Sequence, residues 1–399
     1  MSKRVAVVGP VYPFRGAISL CTMKLAEELS KSHEVDLHSF SRQYPKRFYP
    51  GGDDVDETVR DLAPANASYR LDIVNPLTWI HEGLRIRRSG YDVVVIAWWI
   101  WVWALPYLVI LGLQRRAMRV VVQCHNIGDK EPSFWKTWLA NAVFRRADLL
   151  VVHSARSVEE VKERFGEAGV KKTMKLFLPV LAIGREVPPR DVAKRALDLE
   201  GRQVALFFGQ VRPFKGLDIA IRAWKFVRSG AILLVAGEVW FGEEKKYRGL
   251  AREEGVEDRI RFDLRFVPDA EVATHFAAAD VVVAPYRYEN QSGVAMNAFH
   301  FHRPVIASKV GGLPDIIEEG VNGMLVPPED PEALARAVDA FFERGDRSAM
   351  ESGAAESAAK YSWERYGSPI AKWIGDAGTG IGARGSGHGA RGSGHGVRS

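Results

Sequence analysis

Short apolar runs of strand length alternate with helix-length amphipathic segments along most of this chain, and this alternation restricts the fold more than any other feature. The predicted strands of the first half occupy residues 4–8, 34–38, 93–97, 120–124 and 149–153. Those of the second half occupy residues 204–208, 232–236, 260–264, 280–284 and 305–307. Strands separated by helices are typical of a parallel sheet with helices on both faces. The sequence therefore predicts an α/β fold with two doubly wound domains.

A break in the alternation divides the chain. Residues 183–202 contain a Pro-Pro pair among mixed charges, which is typical of a linker, and 399 residues exceed the size of one ordinary core. We expect an N-terminal domain at residues 1–182 and a C-terminal domain at residues 203–360. Residues 376–399 repeat the motif ARGSGHG, a Gly- and Ser-rich composition that cannot bury a core, so the sequence predicts a disordered tail.

The charge balance argues against a protein that binds nucleic acid. The formal net charge is +6, but Arg384, Arg391 and Arg398 in the tail supply half of it. The remaining chain is only mildly basic, whereas a nucleic-acid binder concentrates positive charge on one face. Cys21 and Cys124 are the only cysteines, and neither has the spacing of a disulfide framework or metal site, so no metal is expected.

One uncharged segment, residues 93–113, would pass as a membrane span in a hydropathy scan. The alternative is a buried strand, an aromatic loop and a helix over residues 104–116. Pro106 and Gly112 interrupt the segment, and its tryptophans crowd into the first half instead of flanking both ends, so the buried unit is favoured. The N-terminus lacks a signal-peptide pattern, and a cytoplasmic location is expected.

Two loops that follow predicted strands carry charged side chains suited to binding a ligand. Arg212 and Lys215 follow the strand at 204–208, and Glu289 follows the strand at 280–284. Strand-to-helix loops lie at the carboxyl edge of a parallel sheet, where open α/β folds bind ligands. Because cations suit a diphosphate and a carboxylate suits sugar hydroxyls, we expect these three side chains to share one site.

Two predicted helix starts strengthen this expectation. Ser292, Gly293 and Val294 should begin a helix, whose free N–H groups, with the Ser hydroxyl, would make an anion site for the same diphosphate. Gly16 stands between the first strand and a helix, in the segment FRGA. That segment is not the GxGxxG fingerprint of a dinucleotide site, so NAD is not expected.

Six segments carry a family resemblance: PVYPFRGAIS (10–19), SFSRQYPKRFYPGG (39–52), VVQCHNIGDKE (121–131), FFGQVRPFKGLDIAI (207–221), ADVVVAPYRYENQSGVAMNAF (279–299) and RPVIASKVGGLPDIIEEGVNGMLVPPED (303–330). Taken in this order, they resemble the nucleotide-sugar-dependent glycosyltransferases of the GT-B fold, in the large family-four group of retaining enzymes. The resemblance implies two facing Rossmann-like domains with the ligand site in the cleft between them. It also implies that a last helix, at 361–374, packs back on the N-terminal domain.

The resemblance further implies roles for individual residues. Arg212 and Lys215 would clamp the donor diphosphate, whose negative charge grows as the glycosyl bond breaks. Glu289 would contact the donor sugar, and His125 would lie in the cleft near that sugar. Asn297 stands where the family has a second Glu that hydrogen-bonds the ribose, and its amide can make that bond only without charge assistance.

As a whole, the resemblance implies transfer of a hexosyl unit from a nucleoside-diphosphate sugar to a glycan or lipid-linked acceptor. Configuration would be retained, and neither a metal nor another cofactor would be needed. Gly16 would lie close to the donor phosphates and the acceptor. Two alternatives stay open: a sugar-nucleotide epimerase of the same fold, and a non-catalytic nucleotide-sugar-binding protein, which the replaced second Glu suggests.

Two further features concern the surface. Arg85, Arg87 and Arg88 form a basic cluster on a predicted helix at 76–88. Such a cluster is usually a solvated helix face. In the resembling fold, however, basic N-terminal domains often meet a membrane or an acidic, lipid-linked acceptor, so the alternative is peripheral contact with an anionic membrane at the inner membrane face. The uncharged segment carries four tryptophans, Trp98, Trp99, Trp101 and Trp103. Core packing is favoured for them over stacking on sugars or lipid.

Overall fold

The computed structural model describes residues 1–44, 53–128, 133–181, 186–344 and 347–376. Within these ranges thirteen strands form two separate sheets, in which every pair of neighbouring strands is parallel. The strands are β1 (Arg4–Val8), β2 (Glu34–Arg42), β3 (Ala67–Asp72), β4 (Val93–Trp98), β5 (Arg119–Cys124), β6 (Leu149–Val152), β7 (Thr173–Lys175), β8 (Val204–Phe208), β9 (Ile232–Ala236), β10 (Ile260–Asp263), β11 (Val281–Ala284), β12 (Val305–Ser308) and β13 (Gly323–Val326). The predicted tail lies outside the described residues from 377 onward.

The two sheets have the same plan. The N-terminal sheet runs β3-β2-β1-β4-β5-β6-β7, and the C-terminal sheet runs β10-β9-β8-β11-β12-β13. In each sheet the strand order reverses once, between β1 and β4 and between β8 and β11. A crevice opens outside the carboxyl ends of the strands at such a point, which is where open parallel sheets bind ligands. The prediction of two doubly wound, Rossmann-like domains is confirmed.

The described residues also form thirteen α-helices, which cover the sheets. They are α1 (Ala17–Ser30), α2 (Pro76–Ser89), α3 (Ala104–Gly112), α4 (Phe134–Arg146), α5 (Ala155–Lys171), α6 (Arg190–Ala196), α7 (Leu217–Trp224), α8 (Glu244–Glu253), α9 (Asp269–Ala278), α10 (Gly293–His300), α11 (Pro331–Glu343), α12 (Ser348–Lys360) and α13 (Trp363–Asp376). Several begin at side chains that accept a hydrogen bond from the first turn, which satisfies N–H groups that have no partner within the helix. Asn75, Ser154, Ser292 and Asp330 are such N-caps.

The uncharged segment 93–113 forms a buried strand-turn-helix unit, as predicted. β4 is buried throughout, a 3-10 turn covers Trp101–Trp103, and α3 follows directly. The helix ends at Gly112, four residues before the predicted end. Within the described ranges, the longest apolar helices fall short of what a bilayer crossing requires. The cytoplasmic location stays a prediction.

The predicted linker contains a helix of its own. In α6, Ala193 is fully buried against Ala277 and Ala278 at the end of α9. Lys194 donates to a carboxylate oxygen of Asp280 at 2.9 Å, and that residue leads into β11. Residues 190–196 therefore pack on the C-terminal domain, while residues 183–185 lie outside the described part. That the domains divide at residues 182 and 203 stays a prediction.

The last helix, α13, packs on α1 of the N-terminal domain. Gly367 lies so close to α1 that a Cβ there would approach the Cβ of Glu28 to 2.6 Å. Trp363 donates from its indole Nε1 to the carbonyl oxygen of Val180 at 3.0 Å, and the amide of Gln123 donates to the hydroxyl of Tyr366 at 2.8 Å. The chain thus leaves the C-terminal domain, and its last described helix packs against the N-terminal domain.

The buried bond between Gln123 and Tyr366 gives a test of this packing, since both side chains are almost fully buried. Tyr366→Phe leaves the Gln123 amide without its partner, and we expect the free energy of unfolding in urea to fall by about 1–3 kcal/mol. Adding Gln123→Met removes the stranded amide, so the double variant should be more stable than Tyr366→Phe alone. Equal stability of Tyr366→Phe and the parent protein would contradict this assignment.

Candidate functional site

A cavity of about 690 Å³ lies between the domains, at the carboxyl edges of both sheets. Its walls are the loops after β1, β4, β5, β8, β9 and β10, together with the N-terminal turns of α1, α4 and α10. The crevices at the two strand-order reversals therefore open toward each other. A volume of this size suits a ligand as large as a nucleotide sugar.

Each predicted site residue either lines this cavity or is buried next to a residue that lines it. Those that line its wall are Gly16, Arg212, Lys215, Gly293, Val294 and Asn297. Three others, Glu289, Ser292 and His125, are buried next to lining residues. The roles given to these nine residues stay proposals.

Lys215 and Glu289 meet between two neighbouring loops. β8 and β11 are adjacent strands, so the loops that follow them leave the sheet side by side. The ammonium nitrogen of Lys215 lies 3.4 Å from Oε2 of Glu289 and 3.3 Å from the hydroxyl of Tyr286. The same nitrogen stands 4.3 Å from the centre of the Tyr286 ring, within cation–π range.

The surroundings of Lys215 keep it charged. Burial by itself would lower the pKa of this ammonium, but the Tyr286 hydroxyl and the Glu289 carboxylate outweigh burial, and the pKa is raised above its usual value. Lys215 is therefore a fixed cation at neutral pH on the wall of the cavity. Such a cation, held in place before a ligand arrives, needs little reorganisation to stabilise a nearby anion.

Arg212 supplies a second positive charge on the same loop. Its guanidinium lies 4.5 Å from the ring centre of Trp240, which follows β9. Both residues line the cavity. The stacking holds the planar guanidinium at the wall, where its N–H groups can reach a phosphate in a bidentate manner.

The N-termini of α1 and α10 approach each other across the cavity. Ser292 caps α10 by accepting a hydrogen bond from the N–H of Ala295 at 3.2 Å. A Cβ at Gly293 would lie 4.0 Å from the Cβ of Ala17, the first residue of α1, which Gly16 precedes with a φ of 101°. Neither helix has an acidic residue in its first turn. The positive ends of both helix dipoles therefore point into the same cavity, and this arrangement favours the binding of an anion there.

Asn297 lies one turn into α10 and is 8% exposed. Among the described residues, no group hydrogen-bonds to its side-chain oxygen, although that atom is buried. The side chain lines the cavity. An amide oxygen in this position can accept from a hydroxyl, and a buried acceptor without a partner is costly enough to favour one.

His125 follows β5 and is 4% exposed. It does not line the cavity, although its neighbours Asn126 and Ile127 do. Burial, with a smaller contribution from His153, lowers the pKa of His125 well below its usual value, so the ring is neutral at physiological pH. The backbone oxygen of His125 accepts a hydrogen bond from the side-chain amide of Gln291 at 3.2 Å, a contact that joins the two domains.

Two glycines that were not among the predicted site residues support the Glu289 loop. Gly311 has a φ of 53°, and a Cβ there would overlap the carbonyl oxygen of Glu289. The N–H of Gly312 donates to the same oxygen at 3.2 Å. These residues lie after β12, the strand next to β11. Only glycine fits so close to the Glu289 backbone, and the glycine pair in the sequence was the available signal.

Arg287 was also passed over, and it does not serve as a third cation for the cavity. Its guanidinium pairs with Asp218 at 2.7 Å and with Glu329. The guanidinium also donates to the carbonyl oxygen of Pro213 at 2.7 Å. The backbone N–H of Arg287 donates to the carbonyl oxygen of Phe214 at 2.8 Å. Arg287 therefore ties the Glu289 loop to the Lys215 loop. Nothing local in the sequence distinguishes this arginine from one that would face a ligand.

The N-terminal wall of the cavity is aromatic and partly cationic. Trp99, Trp101, Lys136 and Arg164 line it, with Trp101 packed edge-on against Trp135 at 4.5 Å between ring centres. Trp98 and Trp103 are buried in the core, so core packing is observed for two of the four tryptophans in this segment. In the described part of the chain, no three His, Cys, Asp or Glu side chains come together in a way that could hold a metal ion.

Family models match both domains of the chain. Residues 16–171 match the model described as a glycosyl transferase 4-like domain, and residues 202–344 match the model described as glycosyl transferases group 1. Similar curated proteins are the D-inositol 3-phosphate glycosyltransferases of Geodermatophilus obscurus and Corynebacterium glutamicum. The first is 29% identical over 310 residues, 72% of this chain and 66% of that protein; the second is 34% identical over 184 residues, 44% of each. The chain thus spans about half to two thirds of the length of these relatives.

Solved structures with the same fold cover both domains. A sucrose-phosphate synthase from Thermosynechococcus elongatus has a TM-score of 0.72 and 19% identity, with 94% of this chain and 99% of that one covered. The Anabaena protein HepE in complex with UDP and glucose has a TM-score of 0.73 and 19% identity, over 94% of this chain and all of that one. At these identities the likeness establishes the fold, and the predicted GT-B architecture is confirmed.

Gly311 provides a test of how the Glu289 loop is supported. We expect Gly311→Ala to lower the free energy of unfolding by about 3 kcal/mol or more, because it adds a steric overlap with the Glu289 backbone to the cost of a positive φ. Gly320→Ala is the matched control, since Gly320 has a φ of 76° but nothing within 4 Å of its Cβ direction, and should cost about 1 kcal/mol. If the two variants lost the same free energy of unfolding in urea, the steric overlap at Gly311 would have no measurable effect on stability.

Proposed function

The chain belongs to the group 1 glycosyl transferases with a glycosyl transferase 4-like N-terminal domain, and from this premise we propose that it transfers a hexosyl unit from a nucleoside-diphosphate sugar to an acceptor hydroxyl. The observation that carries the proposal is the Lys215–Glu289 pair beside the N-terminus of α10. A fixed cation and free helix N–H groups line one wall of a cavity large enough for such a donor. The Glu289 carboxylate is buried next to that wall, 3.4 Å from the cation.

The donor diphosphate would lie between the two helix ends and the cationic loop. Lys215 and Arg212 would bind its oxygens, with the N–H groups of Gly293 and Val294 on the same side and Gly16 opposite. Negative charge grows on the diphosphate as the bond to the sugar breaks, so fixed cations stabilise the transition state more than the bound donor. This role needs no metal ion, and the proposed reaction is metal-independent.

Glu289 would orient the sugar through its hydroxyls, and Asn297 would accept a hydrogen bond from the ribose. The bond from the anomeric carbon to the diphosphate breaks, and a new bond forms to the acceptor oxygen on the face that the diphosphate leaves. Configuration is then retained. The acceptor proton would pass to an oxygen of the departing phosphate, which gains negative charge on the face where the acceptor attacks.

The N-terminal wall supports an acceptor that carries an anionic group. Lys136 and Arg164 would bind that group, and Trp99 and Trp101 offer flat faces for a sugar ring or an apolar chain. The relatives named for inositol 3-phosphate fit such an acceptor. We therefore propose a phosphate-bearing glycan or lipid-linked acceptor.

Peripheral contact with an anionic membrane is part of the proposal, and the surface of α2, α3 and α4 supports it. These helices carry six cations, and their one carboxylate, Glu82, is 2% exposed and bonded to His38. Large apolar side chains are exposed within the first five residues of these helices. They are Leu77, Ile80, Leu105, Phe134, Trp135 and Trp138. Exposed aromatic groups with flanking cations and no exposed acid are typical of surfaces that meet anionic lipid.

The cationic loop provides the central test of the function. We expect Arg212→Ala and Lys215→Ala each to lower kcat/KM by about 100- to 1,000-fold, because each removes a charge that stabilises the leaving diphosphate. The matched control is Arg336→Ala on α11, whose side chain is 69% exposed and remote from the cavity, and which should leave turnover unchanged. The measurement is transfer from a panel of nucleoside-diphosphate sugars.

A thermal-shift screen identifies the donor for that assay. A nucleoside diphosphate at 100 times its dissociation constant should stabilise the protein by about 2.7 kcal/mol. Near-normal turnover of either cation variant would contradict the proposed role. Conversion of a sugar nucleotide without any acceptor would instead indicate an epimerase, and binding without turnover would indicate a non-catalytic protein.

Vesicle flotation tests the membrane surface. We expect the protein to float with vesicles of phosphatidylcholine and phosphatidylglycerol but not with phosphatidylcholine alone, and added salt should weaken the association. Trp135→Ser with Trp138→Ser should reduce binding by about tenfold or more, since two interfacial anchors are lost. Phe226→Ser, which removes an aromatic group 43% exposed on the other domain, is the control. Vesicle binding that changes neither with added salt nor on loss of the two tryptophans would contradict the proposal that this surface contacts the membrane.

A further inference from the structure

His125 and Gln291 meet across the domain interface, 166 positions apart in the chain. His125 follows β5 of the N-terminal sheet, and Gln291 lies in the loop between β11 and α10 of the C-terminal domain. The amide nitrogen of Gln291 lies 3.2 Å from the backbone oxygen of His125 and 3.5 Å from Nδ1 of its ring. One side-chain nitrogen thus faces two atoms of the same histidine.

These two distances determine which ring nitrogen carries the proton. A backbone carbonyl oxygen can only accept a hydrogen bond, so the nitrogen end of the Gln291 amide, and not its oxygen, must face it. The same nitrogen then presents an N–H toward Nδ1. Two N–H groups repel each other, so Nδ1 must carry a lone pair, and in a neutral ring the proton lies on Nε2.

The ring is neutral and its second nitrogen is buried. Burial is the larger cause of the lowered pKa of His125, and His153, whose ring centre lies 5.4 Å away, adds to it. Within the described ranges, no protein group hydrogen-bonds to Nε2 of His125. A buried N–H without a protein partner is expensive. His125 itself does not line the cavity, but the adjacent Asn126 and Ile127 do, so the acceptor that we expect is an oxygen of a molecule bound in that cavity.

We infer that Gln291 is a positioning residue that holds His125 as the Nε2–H tautomer, so that His125 donates a hydrogen bond to an oxygen of the sugar being transferred and does not take up a proton. The sugar in this statement rests on the proposed function, whereas the tautomer rests on the geometry alone. No bond is made or broken at His125. Its contribution is to orient the sugar while the anomeric carbon exchanges one oxygen for another.

The arrangement also links the tautomer to the position of the domains. The hydrogen-bond donor comes from one domain and the histidine from the other. Gln291 therefore acts on His125 only when the two domains are as close together as in this structure. If the domains separate, Nδ1 loses the neighbour that keeps the proton on Nε2. His125 therefore has its proton on Nε2, available to the sugar, when the domains are closed. In that arrangement water is excluded from the activated donor.

His153 provides an internal contrast. Its Nδ1 lies 3.1 Å from the backbone oxygen of Leu176, an acceptor, so its proton lies on Nδ1. Its Nε2 is buried, and no described residue hydrogen-bonds to it. Burial lowers its pKa to about 4, so it is neutral as well. The two neighbouring rings are therefore assigned opposite tautomers, for reasons that involve different partners.

The experiment measures the tautomers directly, by nitrogen NMR of protein with labelled histidine, with signals assigned from His125→Asn and His153→Asn variants. In the unliganded protein at neutral pH, the inference expects the Nε2–H form for His125 and the Nδ1–H form for His153. Gln291→Glu replaces the donor with an acceptor and should move the His125 proton to Nδ1. Gln291→Leu removes the donor and should give a mixture. The His153 signal should not change in either variant.

The kinetic readout uses the same variants with the donor found by thermal shift. We expect kcat to fall by about tenfold in Gln291→Leu and further in Gln291→Glu, with KM for the donor changed less than threefold, because the lost hydrogen bond acts on orientation. Gln291→Leu keeps a side chain of similar size, so it remains informative if Gln291→Glu does not fold.

The outcomes separate this inference from the proposed function. An Nδ1–H tautomer of His125 in the parent protein, or the same tautomer in all three proteins, would overturn it. Unchanged kcat in a variant whose tautomer has shifted would also overturn the role of Gln291 in orienting sugar. If the tautomers are as expected but no sugar is transferred by the parent protein, the proposed function fails while the assignment of Gln291 stands.

Discussion

The buried pair of Lys215 and Glu289 is the interaction on which the rest of the site depends. The side chains are only 13% and 10% exposed, and the charge in each loop is compensated from the neighbouring loop. Removing one partner of such a pair typically costs about 3–5 kcal/mol, because the other charge stays buried without compensation. The pair therefore requires a fixed distance between the two loops. Arg287 helps to fix it by donating to the Lys215 loop, and Gly311 helps by packing against the backbone of Glu289. Those constraints give the cavity a preorganised charge pattern.

The position of the two domains is the second constraint, and it is fixed by contacts on opposite sides of the cavity. On one side the hydroxyl of Tyr12 donates to Asp269 at 2.9 Å, and the guanidinium of Arg15 stacks on Phe266 at 3.8 Å. On the other side Gln291 donates to His125, and α13 packs on α1. These contacts bring the ends of α1 and α10 together. Without them, each domain would present only half of an anion site.

Much of the fold could be predicted from the sequence, because the information is local. The strands at 4–8, 204–208 and 232–236 have the predicted bounds, since each is a short apolar run between clear turn signals. Three strands at the edges of their sheets, β3, β7 and β13, were not predicted, and neither was α4. β3 has mixed polarity because it is the edge strand of its sheet, and α4 exposes aromatic residues in its first turn, which breaks the amphipathic pattern. The predicted tail lies outside the described residues.

By itself the sequence determined the alternation of strands and helices, the two loops that carry Arg212, Lys215 and Glu289, and the helix start at Ser292, because each depends on neighbours within a few residues. Only the tertiary structure decided which of these groups meet. Arg287 and Lys215 look alike in the sequence, yet one ties the loops together and the other faces the cavity. Likewise, nothing near His125 or Gln291 in the chain reveals their contact. Such pairings depend on how two separately folded sheets pack, and that packing is a property of the whole chain.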